Sequence, residues 1–256
     1  MMPNFALHSI CYTPLDTMTW CATATISIPP PLKLWSEPIP PLAPFTITDT
    51  FTHCQFMHCQ FMHFQSVFWQ RCHHRSRLSA RSLAYNKRLR QRIGVRLLLQ
   101  KLLIKQAIVD SLDESTFPYR LTDSRQYVCF SHSDAQVAVV IGTQKAVGID
   151  IEVHAVKRSL VKRFYHSHEH TLLAQLADQP QNEMAKWLWQ LKESYIKVYQ
   201  YKLACGLGMD YAYLMADISH ATAQTVPNDS IWTLVNDTKT GYHIAILPLQ
   251  QTVVVF

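Results

Sequence analysis

The chain has 256 residues and a formal net charge of +6; 48% of its residues are hydrophobic and 16% are charged. These values are typical of a globular protein and exclude a disordered chain. No apolar run reaches the length of a transmembrane helix, and the start of the chain lacks the features of a secretory signal. The seven cysteines have no regular spacing outside one repeat, which argues against a disulfide framework and favours a reducing, cytoplasmic location.

The first 65 residues differ in composition from the rest, and we expect residues 1–65 to be an atypical N-terminal segment. MTWCATATISI alternates enough to predict one strand, and the proline-rich SIPPPLKLWSEPIPPLAPF predicts an extended or loop-like segment. HCQFMHCQFMHFQ is a five-residue tandem repeat whose histidines and cysteines suggest a metal site. Its period fits neither helix nor strand and no zinc-like spacing, so we favour a low-complexity insertion or an extension not needed for folding.

A basic block follows. Positions 66–105 hold eleven of the 24 lysines and arginines, and no acidic residue occurs between Asp49 and Asp110. Such a block predicts a polyanionic partner, which is a nucleic acid, an acidic protein surface or a ligand with several phosphates; the alternative is a merely solvated helix face. Part of it predicts a helix with an apolar stripe of Leu89, Ile93, Leu97 and Ile104.

Strands and helices alternate in the remaining chain. YVCFSHS and AQVAVVIG predict two strands joined by a turn at Ser133–Asp134, and AVGIDIEV predicts a third strand. Residues 159–177 and 183–200 predict helices, the first interrupted near Ser167, which we expect to cap a second segment. Four further strands are predicted at AYLMADIS, SIWTLVN, YHIAILP and TVVVF. This order indicates an α+β protein of two halves, with residues 66–143 in the first and 144–256 in the second.

Three acidic residues are candidate ligands of a metal site. Asp150 and Glu152 are two apart on a predicted strand and therefore leave the same face; neighbouring carboxylates are stabilised by a hard divalent cation such as Mg²⁺. The alternative is an exposed sheet face with two unrelated acids. If the helix carrying Glu193 packs across this strand, a third carboxylate and Lys197 join the site, as metal-assisted phosphoryl chemistry requires; otherwise Glu193 and Lys197 form an ordinary surface pair. His132 is either a phosphate donor or a turn histidine.

The motif VGIDIE, followed some forty residues later by WLWQLKESYIK, with FSHS upstream and RFYHSHE between them, resembles the 4′-phosphopantetheinyl transferases of the Sfp type. Their signature is a G-(I/V)-D-x-E strand and a W-x-x-K-E-(S/A)-x-x-K helix. The resemblance extends from about residue 78 to 210. It implies two pseudo-symmetric α+β halves with coenzyme A in the cleft between them, and the one-chain cleft suggests a monomer.

The resemblance also implies roles for individual residues. Asp150, Glu152 and Glu193 are expected to bind Mg²⁺, and Glu193 and Lys197 are the expected catalytic residues. Contacts with coenzyme A phosphates are expected from Lys192, Lys197, His132 and Arg96, and Glu169 is a weaker candidate for a polar role at the cleft. The implied reaction transfers the phosphopantetheine arm of coenzyme A to a serine of an apo acyl or peptidyl carrier protein and releases 3′,5′-ADP, as in holo-acyl-carrier-protein synthases.

One departure from the family is the segment FPYRLTDS, which stands where a G-K-P segment is common; Arg120 is a candidate replacement for that lysine. Two alternatives remain beside the enzyme. One is a catalytically weak relative that binds carrier protein or coenzyme A. The other is a nucleic-acid-binding protein using the basic helix, but that helix has few aromatic residues on which bases would stack, and nucleic acid does not explain the acids. We therefore expect neither nucleic acid nor membrane as a partner.

Overall fold

The computed structural model describes residues 6–27, 80–223 and 232–256. The proline-rich segment and the His/Cys repeat predicted above lie outside the described residues. The chain divides into residues 1–28 with 87–256 and residues 29–86; of the latter, only the helical residues 80–86 are described. None of the described helices is long and apolar enough to cross a membrane.

The first sheet is antiparallel and contains six strands. These are β1 (Leu7–Pro14), β2 (Thr19–Ile26), β3 (Leu112–Asp113), β4 (Tyr119–Leu121), β5 (Tyr127–Ser133) and β6 (Gln136–Gly142). They lie in the order β1–β2–β6–β5–β4–β3. The predicted strands of FSHS and of AQVAVVIG are confirmed as β5 and β6.

The N-terminal hairpin belongs to this sheet. Strand β2 pairs with β6 from Thr19↔Gly142 to Thr25↔Gln136, and β1 pairs with the other edge of β2. The sequence predicted one strand here and the structure has two. Within the atypical segment of residues 1–65, Leu7–Ile26 therefore supply backbone partners and core side chains to the first sheet.

Helix α1 (Ala80–Lys105) packs on the outer face of the first sheet. The predicted stripe is right at Ile93, which is buried, and wrong at Ile104, which is 71% exposed. The side chains of α1 that pack in the core with strand residues are Val95, Leu98, Leu99, Leu102 and Leu103. These positions recur at three- and four-residue intervals, so the predicted helix period is confirmed and the buried face is only partly the predicted one.

The second half has its own antiparallel sheet. Its strands are β7 (Gly148–Ile151), β8 (Thr233–Asp237), β9 (Tyr242–Leu247) and β10 (Thr252–Val255), in the order β7–β10–β9–β8. The helices are α2 (Arg158–Phe164), α3 (Ser167–Leu173), α4 (Asp178–Tyr199), α5 (Leu203–Leu207) and α6 (Met215–Ala223).

Two predictions in this half are wrong. AYLMADIS forms a 3₁₀ turn at Ala212–Leu214 and the start of α6 instead of a strand. The residue that caps α3 is His166, not Ser167: its side chain accepts from the His168 N–H, and the Glu169 carboxylate accepts from the His166 N–H. The other predicted strands of this half are confirmed.

The two sheets face each other. Residues from β5 and β6, among them Cys129 and Val140, form one apolar cluster with Ile149 of β7 and Val254 of β10. Helix α4 covers the opposite face of the second sheet through Leu188, Leu191, Tyr195 and Val198. Each half thus consists of an antiparallel sheet with a helix on its outer face, and the predicted α+β class is confirmed.

Candidate active site

Helix α4 lies unusually close to β7, and a glycine makes this possible. A Cβ atom added to Gly148 would stand 2.1 Å from the backbone oxygen of Ser194, far inside van der Waals contact. Toward β10, the strand next to β7 in the sheet, Ser194 Oγ donates to Val253 O at 3.2 Å. The motif glycine and the motif serine therefore set the distance at which α4 crosses the strand that carries the acids.

Asp150 is held between the two sheets and the helix. Its Oδ1 accepts a hydrogen bond from Ser131 Oγ of β5 at 2.8 Å and lies 3.0 Å from Lys197 Nζ of α4. Burial raises the pKa of Asp150, although the charge and hydrogen bond of Lys197 and the bond from Ser131 act against this rise. The carboxyl group is thus kept from solvent but supplied with groups that favour its ionised form.

Glu152, just beyond the end of β7, repeats this arrangement two residues later. Its Oε1 accepts from Ser133 Oγ at 2.7 Å and from the His154 N–H at 2.9 Å. Asp134, in the turn after β5, forms close contacts with Lys87 Nζ and His154 Nε2. The end of β5 is thereby fixed to helix α1 on one side and to the Glu152 segment on the other.

Glu193 stands beside these carboxylates on α4. Burial, followed by the negative charge of Asp150, raises the pKa of Glu193, and Glu152 adds to the rise. Burial opposes the charge of Lys197, but the negative charges around it, first that of Asp150, outweigh this effect and raise the pKa of Lys197. Lys197 Nζ also donates to Ile149 O at 2.6 Å. A partly buried acid that holds a proton more readily than usual therefore lies near a firmly charged amine.

The three acids offer oxygen ligands, the donor set that Mg²⁺ prefers. Their mutual effect on pKa shows that they repel one another, which is the condition a divalent cation relieves. Asp150 Oδ2 and Glu152 Oε2 take part in no hydrogen bond with the described residues, since the bonds reported above use Oδ1 and Oε1. In the described part of the chain, the oxygens of these three carboxylates do not all lie within 4.8 Å of one another. The carboxylate ligands nevertheless suit Mg²⁺. Lys197 occupies one side of Asp150.

His132 and Arg96 differ in their relation to this group: His132 is affected by the charges of Lys197 and Asp150, whereas Arg96 contacts Phe130 and Glu114. His132 points from β5 to the face opposite Ser131 and Ser133; its ring is exposed but partly desolvated, which lowers its pKa, and the positive charge of Lys197 acts in the same direction. Arg96 forms a two-pronged ion pair with Glu114, one prong of 3.0 Å from Nε to Oε2. Within the described residues, Arg96 is therefore engaged with Glu114 and not with the carboxylate group.

Lys192 lies away from the carboxylate group, and its position argues against the contact with a coenzyme A phosphate that the sequence led us to expect. Its side chain is fully buried and its Nζ lies 2.9 Å from Oε1 of Glu169, which is fully buried as well. The same ammonium donates to the backbone oxygens of Leu207, at 2.9 Å, and Met209. Lys192 therefore has no exposed surface for a phosphate, and Glu169 is part of the core rather than of a cleft.

Ser131 and Ser133 were missed as functional residues. They were read only as neighbours of His132 in FSHS, although residues two apart on a strand share a face. The Ser131 hydroxyl donates to Asp150 and accepts from the Ile151 N–H at 3.2 Å. The Ser133 hydroxyl donates to Glu152 and accepts from the Val153 N–H at 3.2 Å. The alternation of the motif itself was the signal that they form a pair matching Asp150 and Glu152.

Residues 146–247 match the family model of the 4′-phosphopantetheinyl transferase superfamily. This segment of the second half is therefore similar to a superfamily of enzymes that transfer a phosphopantetheinyl group. The matched segment begins two residues before β7 and ends with β9, so it contains Asp150, Glu152, Glu193 and Lys197. A search of curated proteins found no significant match to the chain. Membership of the Sfp type stays a prediction.

Proposed function

We propose that this protein transfers the 4′-phosphopantetheine arm of coenzyme A to a serine of an apo acyl or peptidyl carrier protein, in a Mg²⁺-dependent reaction that yields holo carrier protein and 3′,5′-ADP. The observation that carries the proposal is the superfamily match over the segment in which Asp150, Glu152, Glu193 and Lys197 come together. The resemblance of FSHS and of the α4 motif to the Sfp type supports the same activity.

Glu193 is the proposed general base. Its raised pKa makes it a better proton acceptor than an exposed carboxylate, and efficient bases have pKa values closer to the working pH. The serine oxygen of the carrier attacks the phosphorus that bears the pantetheine arm, and its proton passes to Glu193 directly or through a water molecule. The bond from that phosphorus to the bridging oxygen breaks, and 3′,5′-ADP leaves with that oxygen.

Lys197 is the proposed partner of the diphosphate. Its charge is firmly retained, and a fixed cation stabilises the negative charge that develops on the leaving phosphate. Asp150, Glu152 and Glu193 would hold Mg²⁺, which when bound supplies charge neutralisation for the diphosphate oxygens. We assign His132 and Arg96 to further coenzyme A phosphates; Arg96 would exchange its ion pair with Glu114 for the 3′-phosphate. Lys192 is left out of this set because it is buried.

The residues of the site and the cysteines also bear on the oligomeric state and the location of the enzyme. All of the proposed site residues come from one chain, which supports activity as a monomer. The four described cysteines Cys11, Cys21, Cys129 and Cys205 are free, which supports a reducing, cytoplasmic location.

The test is the intact mass of an apo acyl carrier protein after incubation with the full chain, coenzyme A and Mg²⁺, with an EDTA reaction beside it. We expect the mass to rise by one phosphopantetheine arm and 3′,5′-ADP to appear in equal amount, in the Mg²⁺ reaction alone. Glu193→Gln should give neither product. If a folded protein binds coenzyme A but modifies none of several acyl and peptidyl carriers, the transferase assignment is wrong and the chain is a binding relative.

A further inference from the structure

A second group of possible ligands lies apart from the carboxylates. His166, His168 and Asp210 each present a ligand atom, and these atoms all lie within 4.8 Å of one another. Asp210 Oδ2 is 2.8 Å from Nδ1 of His168 and 3.4 Å from Nδ1 of His166. His168 is 71% exposed, while His166 and Asp210 are about one-third exposed. The group is therefore open to solvent on one side and anchored on the other.

The anchoring comes from Glu169, which joins the two segments that carry the group. Glu169 Oε2 accepts from the His166 N–H and Oε1 accepts from the Tyr211 N–H, both at 2.9 Å. Lys192 neutralises this buried carboxylate and also donates to Met209 O. The backbone on both sides of the group is thus fixed from below by a fully buried ion pair, so the ligand atoms need little rearrangement to meet.

The side chains are in states suited to metal binding. The Asp210 carboxylate accepts from the Ala212 N–H through Oδ1, which leaves Oδ2 facing the two imidazoles. His166 Nδ1 accepts a hydrogen bond from the His168 N–H at 3.3 Å, a long bond that a metal ion would replace. His168 Nδ1 lies against Asp210 Oδ2, and the ring offers this nitrogen to a metal in its neutral Nε2–H tautomer.

We propose that His166, His168 and Asp210 form a binding site for a borderline transition-metal ion, with Zn²⁺ as the ion they suit best. Two imidazoles and one carboxylate with an open position are a common donor set for Zn²⁺. Ligand atoms about 2.0–2.2 Å from a tetrahedral ion stand roughly 3.4 Å apart, close to the separation of His166 Nδ1 from Asp210 Oδ2. The 2.8 Å contact between His168 Nδ1 and Asp210 Oδ2 opens slightly when the metal comes between the two atoms.

This site differs in chemistry from the proposed Mg²⁺ site. Nitrogen ligands favour Zn²⁺, whereas an all-oxygen set favours Mg²⁺. A bound ion would join the His166–His168 segment to the Asp210 segment, which Lys192 and Glu169 already hold together. The ion therefore acts on the stability of the second half, and the inference does not depend on the transferase activity.

The test is titration of the full chain with ZnCl₂ by calorimetry, in an excess of MgCl₂ that keeps the carboxylate site occupied. The His/Cys repeat offers further Zn²⁺ ligands, so the test is the difference between matched variants. His168→Ala and Asp210→Asn should each bind one Zn²⁺ equivalent less than the wild type, and Zn²⁺ should raise their melting temperature less. Asp210→Asn keeps the side-chain oxygen that accepts a hydrogen bond from the Ala212 N–H. This variant therefore provides the test if His168→Ala does not fold.

The matched control is His243→Ala, an exposed histidine on β9 whose Nδ1 lies 2.6 Å from Asn236 Oδ1. It should bind as many Zn²⁺ equivalents as the wild type. The inference is overturned if folded His168→Ala and Asp210→Asn proteins retain the wild-type number of equivalents, or if the control loses one as well.

Discussion

Ser131 Oγ donates a hydrogen bond of 2.8 Å to Asp150 Oδ1 and accepts one of 3.2 Å from the Ile151 N–H. A single hydroxyl in the first sheet therefore fixes both a carboxylate and a backbone group in the second sheet. Ser133 makes the equivalent pair of bonds to Glu152 and to the Val153 N–H. The candidate site is thus assembled from both halves, and the acids of β7 depend on β5 for their position.

Ser131→Ala should move the pH dependence of transfer. The bond from Ser131 favours the ionised form of Asp150, so its loss raises the pKa of this carboxyl further. The acidic limb of the kcat/KM profile, where Asp150 becomes protonated, is expected to shift to higher pH. Loss of the acceptor for the Ile151 N–H should also lower the free energy of unfolding by about 1–3 kcal/mol.

The pH profile of transfer and chemical denaturation measure the two effects of Ser131→Ala. Thr222→Ala serves as a control, because its hydroxyl donates only to backbone oxygens of the α6 helix. An unchanged acidic limb in folded Ser131→Ala would show that the bond to Asp150 does not tune the site.

Glu193→Gln should separate stability from activity. Burial and the neighbouring acids disfavour the charge of Glu193, so an uncharged isostere is expected to stabilise the fold at neutral pH by about 1–3 kcal/mol while transfer is lost. A carboxyl whose folded pKa is raised makes the native state bind more protons than the unfolded state. The stabilising effect should therefore shrink as the pH falls through the raised pKa of Glu193, where the wild-type side chain becomes neutral as well.

Denaturant titrations of wild type and Glu193→Gln from neutral to acidic pH measure this difference. Glu183→Gln is the control, since Glu183 lies on the same helix but outside the site. A variant that is less stable than the wild type at neutral pH, or equally active, would contradict the assignment of Glu193 as a partly buried base with a raised pKa.

Much of the site could be predicted because strand alternation and helix spacing are local properties. Asp150 and Glu152 share a face because they are two apart on a strand, and Glu193 and Lys197 share one because they are four apart on a helix. The same reasoning separates Lys192 from Glu193, since adjacent helical residues point about 100° apart. Treating Lys192 as part of the site followed the motif and overlooked this angle.

The errors in the fold have a common physical source. AYLMADIS was predicted to be a strand, but the buried residues Leu214, Met215 and Ile218 within it and Ala221 just after it recur at a helical period. Packing against the second sheet decided between the two. In helix α1 the period was right, but the face toward the core depends on where β2, β5 and β6 lie. No local pattern in the sequence specifies that position.

Lys192→Met should destabilise the fold rather than weaken coenzyme A binding. Removing the ammonium leaves the buried carboxylate of Glu169 uncompensated, and breaking a buried pair of this kind costs about 3–5 kcal/mol. The double variant Lys192→Met, Glu169→Gln should regain part of the loss because no buried charge remains. Melting temperature and the KM for coenzyme A measure the two alternatives. A stable Lys192→Met protein with a raised KM would restore the phosphate-binding role.

Deletion of residues 1–27 should unfold the first half. It removes the seven-residue pairing of β2 with β6 and the buried side chains of Ala22, Ala24 and Ile26. The lost burial and the exposed edge of β6 predict aggregation or a loss of cooperative unfolding. Circular dichroism and size-exclusion chromatography measure this. A monomeric, cooperatively folded deletion product would show that the hairpin is dispensable after all.

Gly148→Ala should displace helix α4 from β7. The added methyl group would stand 2.1 Å from the Ser194 backbone oxygen, and because this neighbour is backbone, the strand and helix must separate to admit it. Glu193 and Lys197 flank Ser194, so transfer is expected to fall by about a hundredfold for a displacement near 1 Å. Overpacking should also cost about 1–3 kcal/mol of stability.

Gly208→Ala is the matched control for Gly148→Ala. Its nearest neighbour is at 3.4 Å, an ordinary contact, and its φ of −82° suits an alanine. This variant should therefore keep both activity and stability, as measured by carrier-protein mass and thermal unfolding. If Gly148→Ala transfers the arm at the wild-type rate, the close approach of α4 to β7 does not position Glu193 and Lys197 against Asp150. The charges of Glu193, Lys197 and Asp150 would then support transfer without a fixed distance between helix α4 and strand β7.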